Sequence, residues 1–72
     1  MKLFERLRQL RTEKGVSRQE VADNANIVLR TYQRYEKGER EPDATTIIAL
    51  ADYFDVSIDY LVGRTDKPEV NK

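Results

Sequence analysis

The chain has 72 residues and no cysteine, so it has room for one small domain and cannot hold disulfide bonds or thiolate-bound metal. Its 13 basic and 13 acidic residues cancel overall, but residues 1–40 hold ten basic against six acidic residues and residues 41–72 hold three against seven. No segment reaches the ~18 apolar residues of a membrane-spanning helix, and the charged first ten residues do not resemble a signal peptide. We therefore expect a cytoplasmic protein with no membrane partner.

The first two helices are predicted from apolar spacing and from capping residues. Apolar residues separated by three and four positions indicate a helix over about residues 2–14, which Gly15 ends. Ser17 as N-cap and Glu20 three residues later predict a capping box at the start of a second helix, over residues 18–24. The inward-facing residues of these two helices are predicted to be Leu3, Phe4, Leu7, Leu10, Val21, Ala22 and Ala25.

A third helix is predicted from about residue 28 to residue 37, before Gly38. Asn26 stands in the short turn that precedes it, where the backbone needs a residue that tolerates a positive φ angle. The second and third helices are therefore joined by about three residues, which is the length of a helix-turn-helix connection. The residues predicted to face the core are Ile27, Thr31, Tyr32 and Tyr35.

Two further helices complete the predicted fold. Asp43 caps a fourth helix that runs to Phe54, and Ser57 caps a short fifth helix. The chain is thus predicted to be all-α, a compact five-helix bundle over residues 1–63 with no sheet, followed by a flexible tail over residues 64–72. The inward-facing residues of the fourth helix are predicted to be Ile47, Ile48, Leu50, Ala51 and Phe54.

The solvent face of the third helix carries side chains that can read DNA bases. In the major groove, arginine pairs bidentately with guanine and glutamine with adenine, and leucine can contact a thymine methyl group. No acidic residue lies between Asn24 and Tyr35, whereas an ordinary solvated helix face mixes charges of both signs. This pattern favours a helix that faces a DNA groove over a plain solvated face. The exposed residues are predicted to be Leu29, Arg30, Gln33, Arg34 and Lys37.

Four segments together resemble the Cro/CI-type helix-turn-helix family, also called the xenobiotic-response-element family. They are residues 16–22, 31–42, 48–54 and 56–61. The similarity extends without a gap over about residues 3–63, and the Tyr-Glu-x-Gly-x-x-x-Pro segment that ends at Pro42 keeps its usual distance from both flanking helices. The resemblance implies a lambda-repressor-like fold and a transcriptional regulator, commonly a repressor, that binds a double-stranded DNA operator as a homodimer.

The resemblance also implies roles for individual residues. The bases would be read by Leu29, Arg30, Gln33 and Arg34. The DNA phosphates would be contacted by Arg18, Gln19, Lys37 and Arg40. A structural ion pair between Arg11 and Glu36 would tie the first helix to the third. Two positions depart from the family pattern, because Asn26 replaces the turn glycine and Val28 replaces the Ser or Thr that caps the recognition helix.

No catalytic or metal site is predicted. The sequence has no histidine, no cysteine and no Gly-rich phosphate loop, and Ser17 and Ser57 are interpreted as helix caps. Asp52, Asp55 and Asp59 are spread over a helix end, a turn and a helix start, so capping explains them better than a cation site. We therefore expect no enzymatic activity, no metal and no cofactor.

A second hypothesis about function stays open in the sequence. The zero net charge and the missing cap of the third helix are compatible with a protein-interaction module, antitoxin-like or regulator-binding, that binds DNA weakly. A regulatory protein partner is compatible with either hypothesis. The dimer surface is predicted on the fourth and fifth helices, with Tyr53, Tyr60 and Val62 as its exposed apolar candidates, and Arg6 and Arg8 are predicted to be solvated.

Overall fold

The computed structural model describes residues 1–69. Over these residues the chain forms five helices and no strand, so the predicted all-α fold is confirmed. The helices are α1 Leu3–Lys14, α2 Arg18–Asn24, α3 Leu29–Lys37, α4 Ala44–Phe54 and α5 Ile58–Leu61. No helix in this part of the chain is both long enough and apolar enough to cross a membrane.

Side-chain caps start three of the helices where the sequence predicts them. The Asp43 carboxylate accepts a hydrogen bond from the Thr46 amide at 2.9 Å, and the Ser57 hydroxyl accepts one from the Tyr60 amide at 3.0 Å. Ser17 accepts from the Glu20 amide at 3.1 Å, which is only the serine half of the predicted capping box. Since these bonds satisfy amides that have no partner inside the helix, they set the helix starts locally.

The turn between α2 and α3 has the backbone conformation that the sequence predicts. Asn26 adopts a φ of 59°, in the left-handed region. The Ile27 amide then donates to the Ala22 carbonyl at 2.8 Å, which closes the end of α2. The backbone enters α3 at Val28, which is extended and provides no side-chain cap, as predicted.

The core lies where all five helices meet. Its largest fully buried side chains are Leu7, Val21, Tyr32, Leu50 and Leu61. Ile48 was predicted to face this core, and that prediction is wrong because its side chain is 48% exposed. At 100° per residue, Ile48 lies about 110° from the centre of the stripe that Ile47, Leu50, Ala51 and Phe54 form.

Arg6 and Tyr60 are buried together, contrary to prediction. Arg6 is only 4% exposed and Tyr60 only 8%, and the Arg6 guanidinium lies 3.8 Å from the centroid of the Tyr60 ring. The spacing from Leu3 and Leu10 places Arg6 within the apolar stripe of α1, so its stem is drawn into the core while its charge rests on the ring. The prediction that Arg6 is solvated is therefore wrong, and Tyr60 is not an exposed candidate for a dimer surface.

The described part of the predicted tail bonds back to α5 and to its N-cap residue. The Arg64 amide donates to the Asp59 carbonyl at 2.8 Å, and the Ser57 amide donates to the Pro68 carbonyl at 3.0 Å. Asp66 lies 3.9 Å from the Arg6 guanidinium. The remainder of the predicted tail, residues 70–72, lies outside the described residues, so the flexibility of the segment stays a prediction.

Candidate nucleic-acid interface

The helix α3 has one face anchored in the core and one face open to solvent. Tyr32 and Tyr35 form the anchored face, with Tyr32 fully buried and Tyr35 6% exposed. The helices α1 and α2 both pack against this side of α3. Apolar residues at a spacing of three, flanked by polar positions, give α3 the strongly amphipathic pattern of a helix held at a surface.

The outward face of α3 is basic and carries no exposed acid. Arg30, Gln33, Arg34 and Lys37 are all exposed, while Leu29 at the start of the helix is half-buried. The single acidic residue of α3 is Glu36, which is 3% exposed. The structure therefore brings the predicted base-reading residues to one accessible helix, with Leu29 less accessible than the sequence suggested.

Glu36 binds two arginines from two other helices. Its carboxylate accepts from Arg11 Nε at 2.7 Å and from Arg11 Nη2 at 3.2 Å, which is a bidentate ion pair between α3 and α1. It also accepts from Arg18 Nε at 3.2 Å, at the start of α2. Because one carboxylate joins all three helices, it fixes the orientation of α3 on its support.

The ion pair changes the acidity of the groups around it. The hydrogen bonds to Glu36 raise the pKa of the Arg11 guanidinium above its ordinary value. Burial, together with the neighbouring Glu36 carboxylate, raises the pKa of the Tyr32 hydroxyl well above its usual range. Both shifts favour the protonated forms, the charged Arg11 guanidinium and the neutral Tyr32 hydroxyl, beside the Glu36 carboxylate.

Two of the four residues predicted to bind phosphate also form hydrogen bonds with acidic residues of the chain. Arg18 is half-exposed, but its Nε is committed to Glu36, a partner that sequence analysis missed. The Gln19 amide donates to the Asp23 carboxylate at 2.7 Å, within the exposed surface of α2. Lys37 and Arg40 are exposed at the end of α3 and in the loop that follows it. Since the Arg18–Glu36 contact joins residues 18 positions apart, no local sequence signal could have revealed it.

The fold and this surface define a helix-turn-helix domain with a basic helix exposed on one side. A helix-turn-helix family model matches residues 7–61. The chain is 33% identical to the HTH-type transcriptional regulator ImmR of Bacillus subtilis, over 100% of this chain and 57% of that protein. It is 38% identical to the cryptic phage CTXphi transcriptional repressor RstR of Vibrio cholerae, over 89% of this chain and 57% of that protein. The chain belongs to the Cro/CI-type helix-turn-helix family, and it spans little more than half the length of these relatives.

Solved structures show the same arrangement of helices. A transcriptional regulator from Listeria innocua superposes with a TM-score of 0.81 at 40% identity, over 86% of this chain and 58% of that chain. The P22 c2 repressor, in a complex with a synthetic operator, superposes with a TM-score of 0.82 at 22% identity, over 86% of this chain and 94% of that chain. The second likeness shows that the two proteins share a fold, which is the lambda-repressor-like fold that the sequence predicts.

Proposed function

We propose that this chain binds double-stranded operator DNA through α3 in the major groove and represses transcription. One observation carries the proposal: the exposed face of α3 has three cations and a glutamine and no exposed acid, while the acid of that helix is buried. A basic helix that is rigidly held at a surface fits the major groove, where side chains at the helix start reach base edges. The names of the relatives, transcriptional regulators and repressors, support the same role.

Each exposed residue of α3 has a proposed task. Arg30 and Arg34 lie four residues apart, project on the same side and read guanine, while Gln33 reads adenine. Leu29 contacts a thymine methyl group from the start of the helix. The phosphate contacts come from Lys37, Arg40, Gln19 and the part of Arg18 that Glu36 leaves free. Phosphate contacts set the register of the helix, and base contacts set the sequence that is read.

The proposed active form is a homodimer with its two recognition helices about one DNA turn, ~34 Å, apart. The described residues of α4 and α5 leave two large apolar side chains exposed, Ile48 and Ile58, at 48% and 45%. These two replace Tyr60 as candidates for the dimer surface, beside the half-buried Tyr53 and Val62. The proposed role involves no enzymatic step and takes place in the cytoplasm.

The test is a binding titration with DNA from upstream of the chain's own gene, against scrambled DNA of equal length. We expect the upstream DNA to be preferred by ~10³-fold or more, with an affinity that falls steeply as salt rises. The variant Arg30→Ala/Gln33→Ala should lose this preference, while Arg64→Ala, an exposed arginine beyond α5, serves as the matched control and should keep it.

Two other results would have distinct meanings. Salt-dependent binding without preference for the upstream DNA would exclude autoregulation and direct the search to other operators by selection from a genomic fragment library. Feeble binding that ignores salt would contradict the proposal and favour the protein-interaction hypothesis.

A further inference from the structure

A surface cleft between α1 and α3 lies beside the proposed reading face. Its lining residues are Phe4, Arg8, Arg18, Gln33, Glu36 and Lys37. They come from three helices, so the cleft exists only in the folded chain. Gln33 is shared with the face of α3 that carries the proposed base contacts, which places the cleft at the edge of the DNA-binding surface.

The charge of the cleft favours an anion. Three of its lining residues are cations, Arg8, Arg18 and Lys37, and Glu36 is its single acid. The Glu36 carboxylate is buried and already holds Arg11 in a bidentate ion pair, with Arg11 outside the lining. Because Arg11 already neutralises the Glu36 carboxylate, that carboxylate does little to reduce the positive electrostatic potential that the three cations produce in the cleft. Among the described residues, neither Arg8 nor Lys37 forms a salt bridge.

Arg8 is held at this rim by an aromatic ring. Its guanidinium lies 5.5 Å from the centroid of the Phe4 ring, on the same turn of α1. The Phe4 ring in turn packs closely against Gly38, the residue that ends α3. A Cβ atom added to Gly38 would lie only 3.0 Å from Phe4 Cδ1. Arg8 is therefore connected through Phe4 to the C-terminal end of the recognition helix, next to Lys37.

We propose that Arg8 is a further DNA-binding residue and that, with Lys37 and Arg18, it holds one backbone phosphate in this cleft. The inference rests on the proposed function. A guanidinium presents several donors in a plane and matches a phosphate, while the Lys37 ammonium and the free Nη groups of Arg18 supply further donors. A phosphate held between α1 and α3 sets how deeply α3 enters the groove, so Arg8 positions the reading face without contacting a base.

The experiment measures Kd for the upstream DNA and for scrambled DNA at several salt concentrations between ~50 mM and ~200 mM. Arg8→Gln removes one of the three cations that hold this phosphate, so the slope of log Kd against log salt should fall, by at most the ~0.9 that a whole phosphate contact contributes. The corresponding loss of affinity at ~0.1 M salt is at most about eightfold, and it should be equal for both DNAs because phosphate contacts carry no sequence information. Arg64→Gln makes the same change of charge on an exposed arginine outside the cleft and should leave the slope unchanged.

Three additional measurements separate a lost contact from a damaged fold. Arg8→Lys keeps the charge and should keep the slope, although it loses the planar geometry. In the unmodified protein, the NMR signal of the Arg8 Nε–H group should shift when DNA is added, while that of Arg64 should not. Far-UV circular dichroism of each variant checks that the helices are intact.

The results for the inference and for the proposed function are distinguishable. If the unmodified chain binds DNA with strong salt dependence while Arg8→Gln matches Arg64→Gln and the Arg8 signal does not move, the inference is overturned and the proposed function stands. If the unmodified chain shows no salt-dependent DNA binding, the proposed function fails, and the role of Arg8 fails with it.

Discussion

The substitution Glu36→Gln tests whether one buried carboxylate orients α3 against α1 and α2. Glutamine has nearly the same shape, so the substitution leaves the volume of the site unchanged. It removes the charge that faces Arg11 and Arg18, and it replaces one acceptor oxygen by an NH₂ group that points at guanidinium donors. The effect therefore reports on electrostatics and hydrogen bonding and not on a cavity.

The magnitude follows from the exposure of the partners. Breaking a fully buried ion pair costs about 3–5 kcal/mol. Here the carboxylate is 3% exposed, but the Arg11 side chain is 17% exposed and the Arg18 side chain 50% exposed, so water recovers part of the loss. We expect the free energy of unfolding to fall by about 2–3 kcal/mol, out of roughly 4–11 kcal/mol for a chain of this length. The midpoint of thermal unfolding should fall by about 10–20 °C.

Urea and thermal unfolding followed by far-UV circular dichroism measure this loss. Glu39→Gln is the matched control, because Glu39 is exposed in the loop after α3. Its free energy of unfolding should fall by no more than about 0.5 kcal/mol. If Glu36→Gln proves no more destabilising than Glu39→Gln, the carboxylate does not hold the three helices together. In a double-mutant cycle that combines Glu36→Gln with Arg11→Gln, the coupling free energy between Glu36 and Arg11 should exceed about 0.5 kcal/mol.

Three further predictions concern the helix ends. Gly38→Ala places a Cβ atom 3.0 Å from Phe4 on a residue with left-handed backbone, whereas Gly15→Ala has the same left-handed strain and no close neighbour. The free energy of unfolding in urea should fall by about 1–2 kcal/mol in both variants, and by more in Gly38→Ala. Val28→Thr supplies the missing cap of α3 and should raise the free energy of unfolding by about 1 kcal/mol, while Val28→Ala should not; equal values for the two variants would contradict the capping argument. The hydrogen bond from Thr46 lowers the pKa of Asp43 below its usual 3.8, so the carboxylate stabilises the fold above that pH and loses its effect as pH falls below it. Thermal unfolding of Asp43→Asn across the acidic range should therefore show a deficit near neutral pH that disappears in acid.

The positions of the helices could be predicted because their causes are local. Ser17, Asp43 and Ser57 each bond to an amide three residues ahead, and Asn26 adopts the left-handed conformation that its short side chain tolerates. These interactions span only a few residues, so the sequence displays both partners. The basic face of α3 was visible for the same reason, since helical periodicity alone separates it from Tyr32 and Tyr35.

The tertiary structure decided which charged side chains are buried and what they contact. Arg6 enters the core because a tyrosine 54 positions later provides a ring for its charge, and Arg18 binds a carboxylate 18 positions away. The cleft beside Arg8 likewise requires three helices at once. The sequence by itself therefore determined the helices, the turn and the basic face of α3, since each depends on neighbours along the chain. The family resemblance implied the Arg11–Glu36 ion pair, but only the folded structure decided that Arg18 joins it and that Arg8, Arg18 and Lys37 line one cleft, because the energy of a charge depends on the partners and the water that packing leaves around it.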